Sequence, residues 1–197
     1  MKVFIMGKPK VFNPKSYVVS DLHLGHSNII KYTRTQFKTI EDHDDHIISI
    51  LSHIPANETL FILGDVAFKK SSMEKLLHVP CRKILIAGNH DHFSPRSYEP
   101  YFYKVYGVGE ITHTSYSNEV STAVLTHIPI HPAEMRWNYN IHGHCHVKKI
   151  NDERYINVTC EHLDFVPWRM SDLIRVRKLE VAEKARILAR TGASYEI

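Results

Sequence analysis

Long hydrophobic runs are missing from this chain of 197 residues. No segment approaches the roughly 20 consecutive apolar residues that a membrane-spanning helix needs, which argues against an integral membrane protein. Met1 to Lys10 interrupts its apolar stretch with Gly7 and Lys8 and builds no recognisable secretory signal. Cysteine is scarce: Cys81, Cys145 and Cys160 are odd in number and irregularly spaced, so neither a disulfide framework nor a four-cysteine zinc site is available. A reducing cytoplasm is the expected location. Charge of one sign is in small excess, with 25 Lys and Arg against 21 Asp and Glu. That surplus favours anionic partners weakly and is too diffuse to indicate nucleic acid. Internal repeats, low-complexity tracts and linkers rich in Gly, Ser or Pro are also missing. One domain spanning 1–197 is the expectation.

What the composition supplies is histidine, 15 residues of it, many beside Asp, Gly or Asn. Histidine in that company suggests metal chemistry. The chain also repeats a local pattern, a short apolar run that stops at a polar segment containing Gly or His. It occurs at Tyr17 to Ser20 before Asp21, Leu60 to Leu63 before Gly64-Asp65, Lys83 to Ala87 before Gly88-Asn89-His90-Asp91, and Ala123 to Leu125 before Thr126-His127. Such runs read as buried strands. Further strands are expected at Ile111 to Thr114, Asn140 to His142 and Tyr155 to Thr159.

Helical marks lie between them. Thr39 can cap a helix with Glu41 and Asp42 in its first turn and Ile47, Ile48 and Leu51 beyond. A shorter helix is expected from Ser72 through Met73, Leu76 and Leu77, with Pro80 after it. Ser171 can cap a basic amphipathic helix through Leu173, Leu179, Ala182, Ile187 and Leu188, closed by Gly192. The fold class is α/β, and in such sheets ligands collect beyond the carboxyl ends of the strands.

Five short segments carry metal-ligand side chains in order: Asp21-Leu22-His23, Gly64-Asp65, Gly88-Asn89-His90-Asp91, His127 and Gly143-His144-Cys145-His146. Each alone is weak; together they are specific. Two divalent ions held about 3.5 to 4 Å apart need a bridging carboxylate, with imidazoles and oxygens filling the remaining positions. Asp65 is the natural bridge. Extended alternation would turn Asp21 with His23, and His144 with His146, to one side, leaving Leu22 and Cys145 facing away. Glycines beside the ligands allow sharp turns without crowding the ions.

These blocks resemble the calcineurin-like metallophosphoesterases, whose signature runs Asp-x-His, Gly-Asp, Gly-Asn-His-Asp/Glu, His, Gly-His-x-His. The likeness extends to a small bacterial and phage branch with Asp-x-His-x-Gly-His-x-Asn-Ile, matched by Asp21 through Ile29. The resemblance implies a four-layer α/β/β/α sandwich. It implies one metal held by Asp21, His23, Asp65 and His146, the other by Asp65, Asn89, His127 and His144, and His90 as the catalytic histidine. Two cations would polarise a phosphoryl oxygen and generate a bridging hydroxide that attacks phosphorus in line. His90 would stabilise the transition state or protonate the leaving alkoxide. The metals are expected to be manganese first, with Fe, Zn, Ni or Co also compatible with mixed O and N ligands.

The expected function is therefore a phosphoric ester hydrolase, preferring phosphodiesters such as cyclic or linear nucleotide linkages. The rivals are a phosphomonoesterase on nucleotides or sugar phosphates, and a metal-binding interaction module, since a retromer subunit resembles this fold. The chain reads Gly64-Asp65-Val66-Ala67-Phe68 where the phosphoprotein phosphatases continue with a second Asp and an Arg, which disfavours that activity and leaves Asp91 as the candidate to orient His90. The chain is also shorter than the superfamily's larger nucleases and nucleotidases with their accessory domains, so an open site and a small or exposed phosphoester are expected.

Other candidates are secondary. His26 can contact substrate or cap a helix, and Asn28 is better read as a cap. Arg34 and Arg136 can bind phosphate through bidentate guanidinium groups, although a solvated or paired arginine is the commoner outcome. His131 can line the pocket or support it. The run Glu41 to His46 reads as an exposed helix face, not a metal cluster. Cys145 reads as a small buried filler. Arg175, Arg177, Lys178, Lys184 and Arg186 can contact nucleic acid, although a solvated helix face is the commoner outcome.

Overall fold

A computed structural model describes residues 11–191. Met1 to Lys10, Gly192 and the side chain of Leu188 lie outside the described residues. The elements in chain order are β1 (Val11–Phe12), β2 (Tyr17–Val19), α1 (Ile29–Tyr32), α2 (Ile40–Ser52), β3 (Thr59–Ile62), a 3-10 helix (Lys70–His78) and β4 (Arg82–Ile86). There follow α3 (Pro95–Tyr98), β5 (Lys104–Tyr106), β6 (Gly109–Thr114), β7 (Val120–Thr126), a 3-10 turn (Pro132–Glu134), β8 (Tyr139–His142), β9 (Tyr155–Asn157), β10 (Trp168–Arg169) and α4 (Met170–Thr191).

The strands form two sheets, ordered β1-β6-β7-β8-β9 and β10-β2-β3-β4-β5. In the second, β2, β3, β4 and β5 run parallel and only β10 is antiparallel. In the first, β7, β8 and β9 are parallel, and β6 pairs antiparallel with β7. The fold is thus mixed α/β with two parallel-rich sheets.

Successive side chains on a strand point to opposite faces, and the register lines up like with like. Val18 sits opposite Phe61, and Phe61 opposite Ile84. This row packs with Ile111, Ala123, Leu125, Ile141 and Ile156 of the other sheet. Val19, Ile62 and Leu85 form the neighbouring row, and they pack with Ile47, Ile48 and Leu51 of α2 and with Met73 and Leu76 of the 3-10 helix. Removing each such side chain from water contributes roughly 1.5–3 kcal/mol. The second sheet is therefore apolar on both faces, which explains why its strands read as unbroken apolar runs.

Thr39 caps α2 as expected, its side chain accepting from the Asp42 N–H at 3.0 Å. Other expectations need correction. The segment after Lys69 is a 3-10 helix, with Leu77 exposed. Asn28 stands at the start of α1, but its side chain makes no capping hydrogen bond. Ser171 falls inside α4, where its N–H donates to Pro14 O, so it is not the cap. On α4, Met170 and Ile174 are buried whereas Leu179 and Ile187 are exposed. Among the described residues no helix is long and apolar enough to cross a membrane.

The two sheets meet beyond β2 and β9. Ser20 N donates to Val158 O (2.8 Å), and Cys160 N donates to Ser20 O (3.1 Å). The loops that follow β2, β3, β4, β7 and β8 all leave from strand ends carrying the five polar segments, so the architecture brings them to one place.

Candidate metal centre

Five of the ligand candidates have left-handed backbones: Asp21 (φ 59°), His23 (φ 52°), Asp65 (φ 54°), His144 (φ 66°) and His146 (φ 46°). Each such conformation costs on the order of 1–3 kcal/mol outside glycine and clusters at functional sites. Asp21-Leu22-His23 and His144-Cys145-His146 are therefore not extended, as simple alternation would have them. At Asp21-Leu22-His23 the paired left-handed residues still bring both side chains together, and Leu22 is fully buried in the core. Cys145 is half-buried.

Asp21, His23, Asp65 and His127 are buried. His23 Nε2 lies 3.5 Å from Asp21 Oδ1 and 3.7 Å from Asp65 Oδ2; His146 Nε2 is 3.8 Å from Asp21 Oδ1. On the other side, His127 Nε2 is 3.3 Å from Asp65 Oδ1 and 2.9 Å from Asn89 Oδ1. Asp65 thus offers one carboxylate oxygen to each side. Asp21, His23 and His146 can converge on one ion, and Asp21, Asp65 and His127 on another. His144 is exposed; its ring lies 5.2 Å from that of His127, and its N–H donates to Asp21 Oδ2 at 2.9 Å.

The donor set fits divalent cations because several buried atoms lack any other partner. Asp21 Oδ1 and both ring nitrogens of His23 make no hydrogen bond, a state that costs desolvation unless something else satisfies them. His127 Nδ1 donates to Leu63 O (2.7 Å), so in the neutral ring Nε2 turns its lone pair toward Asn89 Oδ1, itself an acceptor. Two acceptors turned on each other need a proton or a cation between them.

Three of the ligands are already in the charge state that binding a cation requires, whereas His127, against burial and through Asp65 and Asp21, and His146, through Glu161, are raised and would give up a proton to it. Burial pushes His23 down, so it stays neutral despite Asp21. Burial opposes ionisation of Asp65, but the His127 hydrogen bond and charge, with the His90 N–H, hold its carboxyl at about 2. Asp21 is likewise held low against burial by His23, His127 and Ser20.

Glycine shapes the space. At Gly64 (φ +85°) a Cβ would strike the His127 ring and Gly88 Cα, and at Gly143 it would strike Ser20 and the Asp21 carboxylate. Of these two, Gly64 needs the left-handed region and Gly143 is there for close approach.

His90 is exposed at the rim, its N–H donating to Asp65 Oδ1 (3.0 Å) and its ring 4.9 Å from Phe68. Asp91 does not orient it. The Asp91 carboxylate instead accepts the N–H groups of Gly88, Asp65 and Val66. His26 is half-buried and stacks on Phe68, centroids 3.8 Å apart, and burial and the nearby His23 and His90 depress it to about 4. Phe68 is thus the shared neighbour of His26 and His90, a role for which the sequence offered no signal.

Arg34 is not a substrate contact. It is fully buried and donates to Glu161 Oε1 (2.9 Å), Leu22 O (3.0 Å) and Asp21 O. Glu161 was not singled out from the sequence, yet its Oε1 also accepts from His146 Nδ1 (3.0 Å). Burial raises its carboxyl, but His146 and Arg34 outweigh that and hold it below the usual carboxylate range. Arg136 is exposed. His131 is exposed and caps the Pro132–Glu134 turn by accepting from Ala133 N. The run Glu41 to His46 is only partly an exposed face: His43 and Asp44 are buried. The basic residues of α4 are engaged in ion pairs, Arg175 with Asp172, Arg177 with Glu180, Lys178 with Glu119, Lys184 with Glu153 and Arg186 with Glu183.

No family model matches the chain. It is similar to the uncharacterized protein MJ1445 of Methanocaldococcus jannaschii, 26% identical over 187 residues, covering 88% of this chain and 94% of that protein. Among solved structures it is similar to the protein of unknown function AQ665 from Aquifex aeolicus, with a TM-score of 0.62 and 25% identity over 82% of this chain and 98% of the other. The chain thus shares its α/β fold over most of its length with the Aquifex aeolicus protein.

Proposed function

We propose that this protein is a dinuclear-metal phosphoric ester hydrolase of the calcineurin-like metallophosphoesterase type, preferring small or exposed phosphodiesters, nucleotide linkages among them. The observation that carries the proposal is Asp65, buried between two clusters, with Oδ2 toward His23 Nε2 and Oδ1 toward His127 Nε2. That placement suits a bridging carboxylate. Asp21, His23 and His146 would complete one half, and Asn89, His127 and His144 the other. The proposed architecture is the four-layer α/β/β/α sandwich, with α2 as one outer layer and α4 as the other.

Two divalent cations, manganese first, would supply Lewis-acid charge for a phosphoryl oxygen and lower the pKa of water. The chain's own part is to hold three of the ligands deprotonated before the metal arrives. The desolvated, neutral His23 and the ionised Asp21 and Asp65 meet that requirement. His90, exposed beside the centre, would deliver a proton to the leaving alkoxide, and Phe68 would limit the swing of its ring.

The test is hydrolysis of bis-p-nitrophenyl phosphate against p-nitrophenyl phosphate by metal-stripped protein resupplied with Mn2+, at neutral to alkaline pH. Faster diester cleavage is expected. Faster monoester cleavage would replace the diester preference with a phosphatase, and no turnover with metal demonstrably bound would overturn the enzyme in favour of a binding module.

A further inference from the structure

The two halves of the centre are not supported alike. His127 donates its Nδ1 proton to a peptide carbonyl, Leu63 O. His146 donates its Nδ1 proton to a carboxylate, Glu161 Oε1. A carboxylate behind a ligating imidazole fixes the tautomer and raises the basicity of the other nitrogen more than a neutral carbonyl does.

Glu161 is itself held in place. The same Oε1 accepts from Arg34 Nε at 2.9 Å. Arg34 Nη1 and Nη2 donate to the backbone carbonyls of Leu22 and Asp21. Nη1 also lies 2.8 Å from His43 Nε2. Arginine has no acceptor, so His43 Nε2 must accept and its proton sits on Nδ1. That proton goes to Asp44 Oδ1 (2.9 Å), and the Asp44 carboxylate accepts the Gly25 N–H (2.9 Å). A continuous chain therefore runs from α2 through Arg34 to both the Asp21–Gly25 loop and the His146 ring. Burying an arginine among such groups is weak evidence for stability, since apolar packing usually serves as well. Here the charges converge on one metal ligand.

We propose that Glu161, held by Arg34, is a positioning residue that makes the half-site of Asp21, His23 and His146 the tighter of the two, so that the ions bind in sequence with this half filled first. The inference rests on the metal centre proposed above but not on hydrolysis. It is tested by titrating Mn2+ into metal-free protein and reading affinities calorimetrically. Wild type is expected to show a tight and a weaker class. His146→Ala removes the tight class. Glu161→Ala weakens the tight class about 10–100-fold and leaves the other within about threefold. Glu161→Gln keeps an acceptor oxygen but not the charge, and loses less.

In the His146→Ala background, either Glu161 substitution should have no further effect on metal binding, because its route to the metal is already gone. Circular dichroism melts accompany each variant; should Glu161→Ala fail to fold, the isosteric Glu161→Gln with the same cycle decides. Affinities unchanged by the Glu161 substitutions, or equal losses in both classes that persist without His146, would overturn the positioning role. Wild type that binds no Mn2+ would overturn it together with the metal centre, whereas two classes insensitive to Glu161 would overturn it alone.

Discussion

Asp91 holds Asp65 from behind: its Oδ2 accepts the Asp65 N–H at 2.9 Å and also the Gly88 N–H at 2.8 Å, while Oδ1 takes the Val66 N–H at 3.0 Å. A single carboxylate thereby clamps the turn after β3 to the turn after β4. Burial still pushes its pKa upward, the three amides only partly opposing this. Asp91→Ala leaves three amides to find new partners, and a destabilisation of about 3 kcal/mol is expected. Asp91→Asn, which keeps one acceptor oxygen, should lose less. Urea unfolding of the two variants checks the order.

Arg34 and Arg136 look alike in sequence and should behave oppositely. Arg34→Ala strands Glu161 without its cation, for which about 3–5 kcal/mol is expected. Arg136 is exposed, so Arg136→Ala should change stability by no more than about 0.5 kcal/mol. Melting temperatures of both variants, taken without metal, test the contrast.

His90→Ala should retain both metals and lose about 100-fold or more in kcat on a diester substrate. Asp65→Asn should instead lose metal. Metal content and kcat measured on the same preparations separate the two effects, and full activity in His90→Ala would remove it from the mechanism.

Because only the folded protein gathers the ligands, Mn2+ should raise the melting temperature in a concentration-dependent way, reaching about 2.7 kcal/mol of added stability at 100 times Kd. A chelator should reverse the gain. Thermal shift at rising Mn2+ measures it, and a flat response in wild type would contradict the centre.

His142 supplies a pH effect. It is buried and its Nδ1 donates to Gly143 O, and burial depresses it to about 4. The unfolded chain takes up this proton near 6.5, so the contribution of neutral His142 is complete above pH 6.5 and is lost as pH falls from there toward 4. His127 and His146, both raised, act with the opposite sign, and subtracting a His142→Asn variant isolates the effect. Urea midpoints of chelated protein from pH 7 to 4.5 should fall more steeply in wild type than in the variant.

Much of the site was legible because its chemistry is local in sequence. A ligand loop needs a strand to carry it, a glycine where backbones crowd, and a donor of the right type. All three are contiguous in Leu60 to Asp65 and in Ile84 to His90. The main strands were readable for the same reason, as apolar runs buried on both faces. The two-residue strands β1 and β10 were not, since so short a segment carries no periodicity and pairs only because a neighbouring edge is open.

The sequence alone therefore determined the α/β class, the order of the ligand segments and the residue types within them. Tertiary structure decided everything that depends on residues distant in the chain. Glu161 meets Arg34 across 127 positions, and nothing near either marks the pair. Asp91 is adjacent to His90 in sequence, yet its carboxylate serves three amides. Arg34, which from sequence could bind phosphate or pair with an acid, is a buried tie between two loops. In each case the side chain's partner is set by which loops the two sheets bring together, and a local pattern cannot encode that.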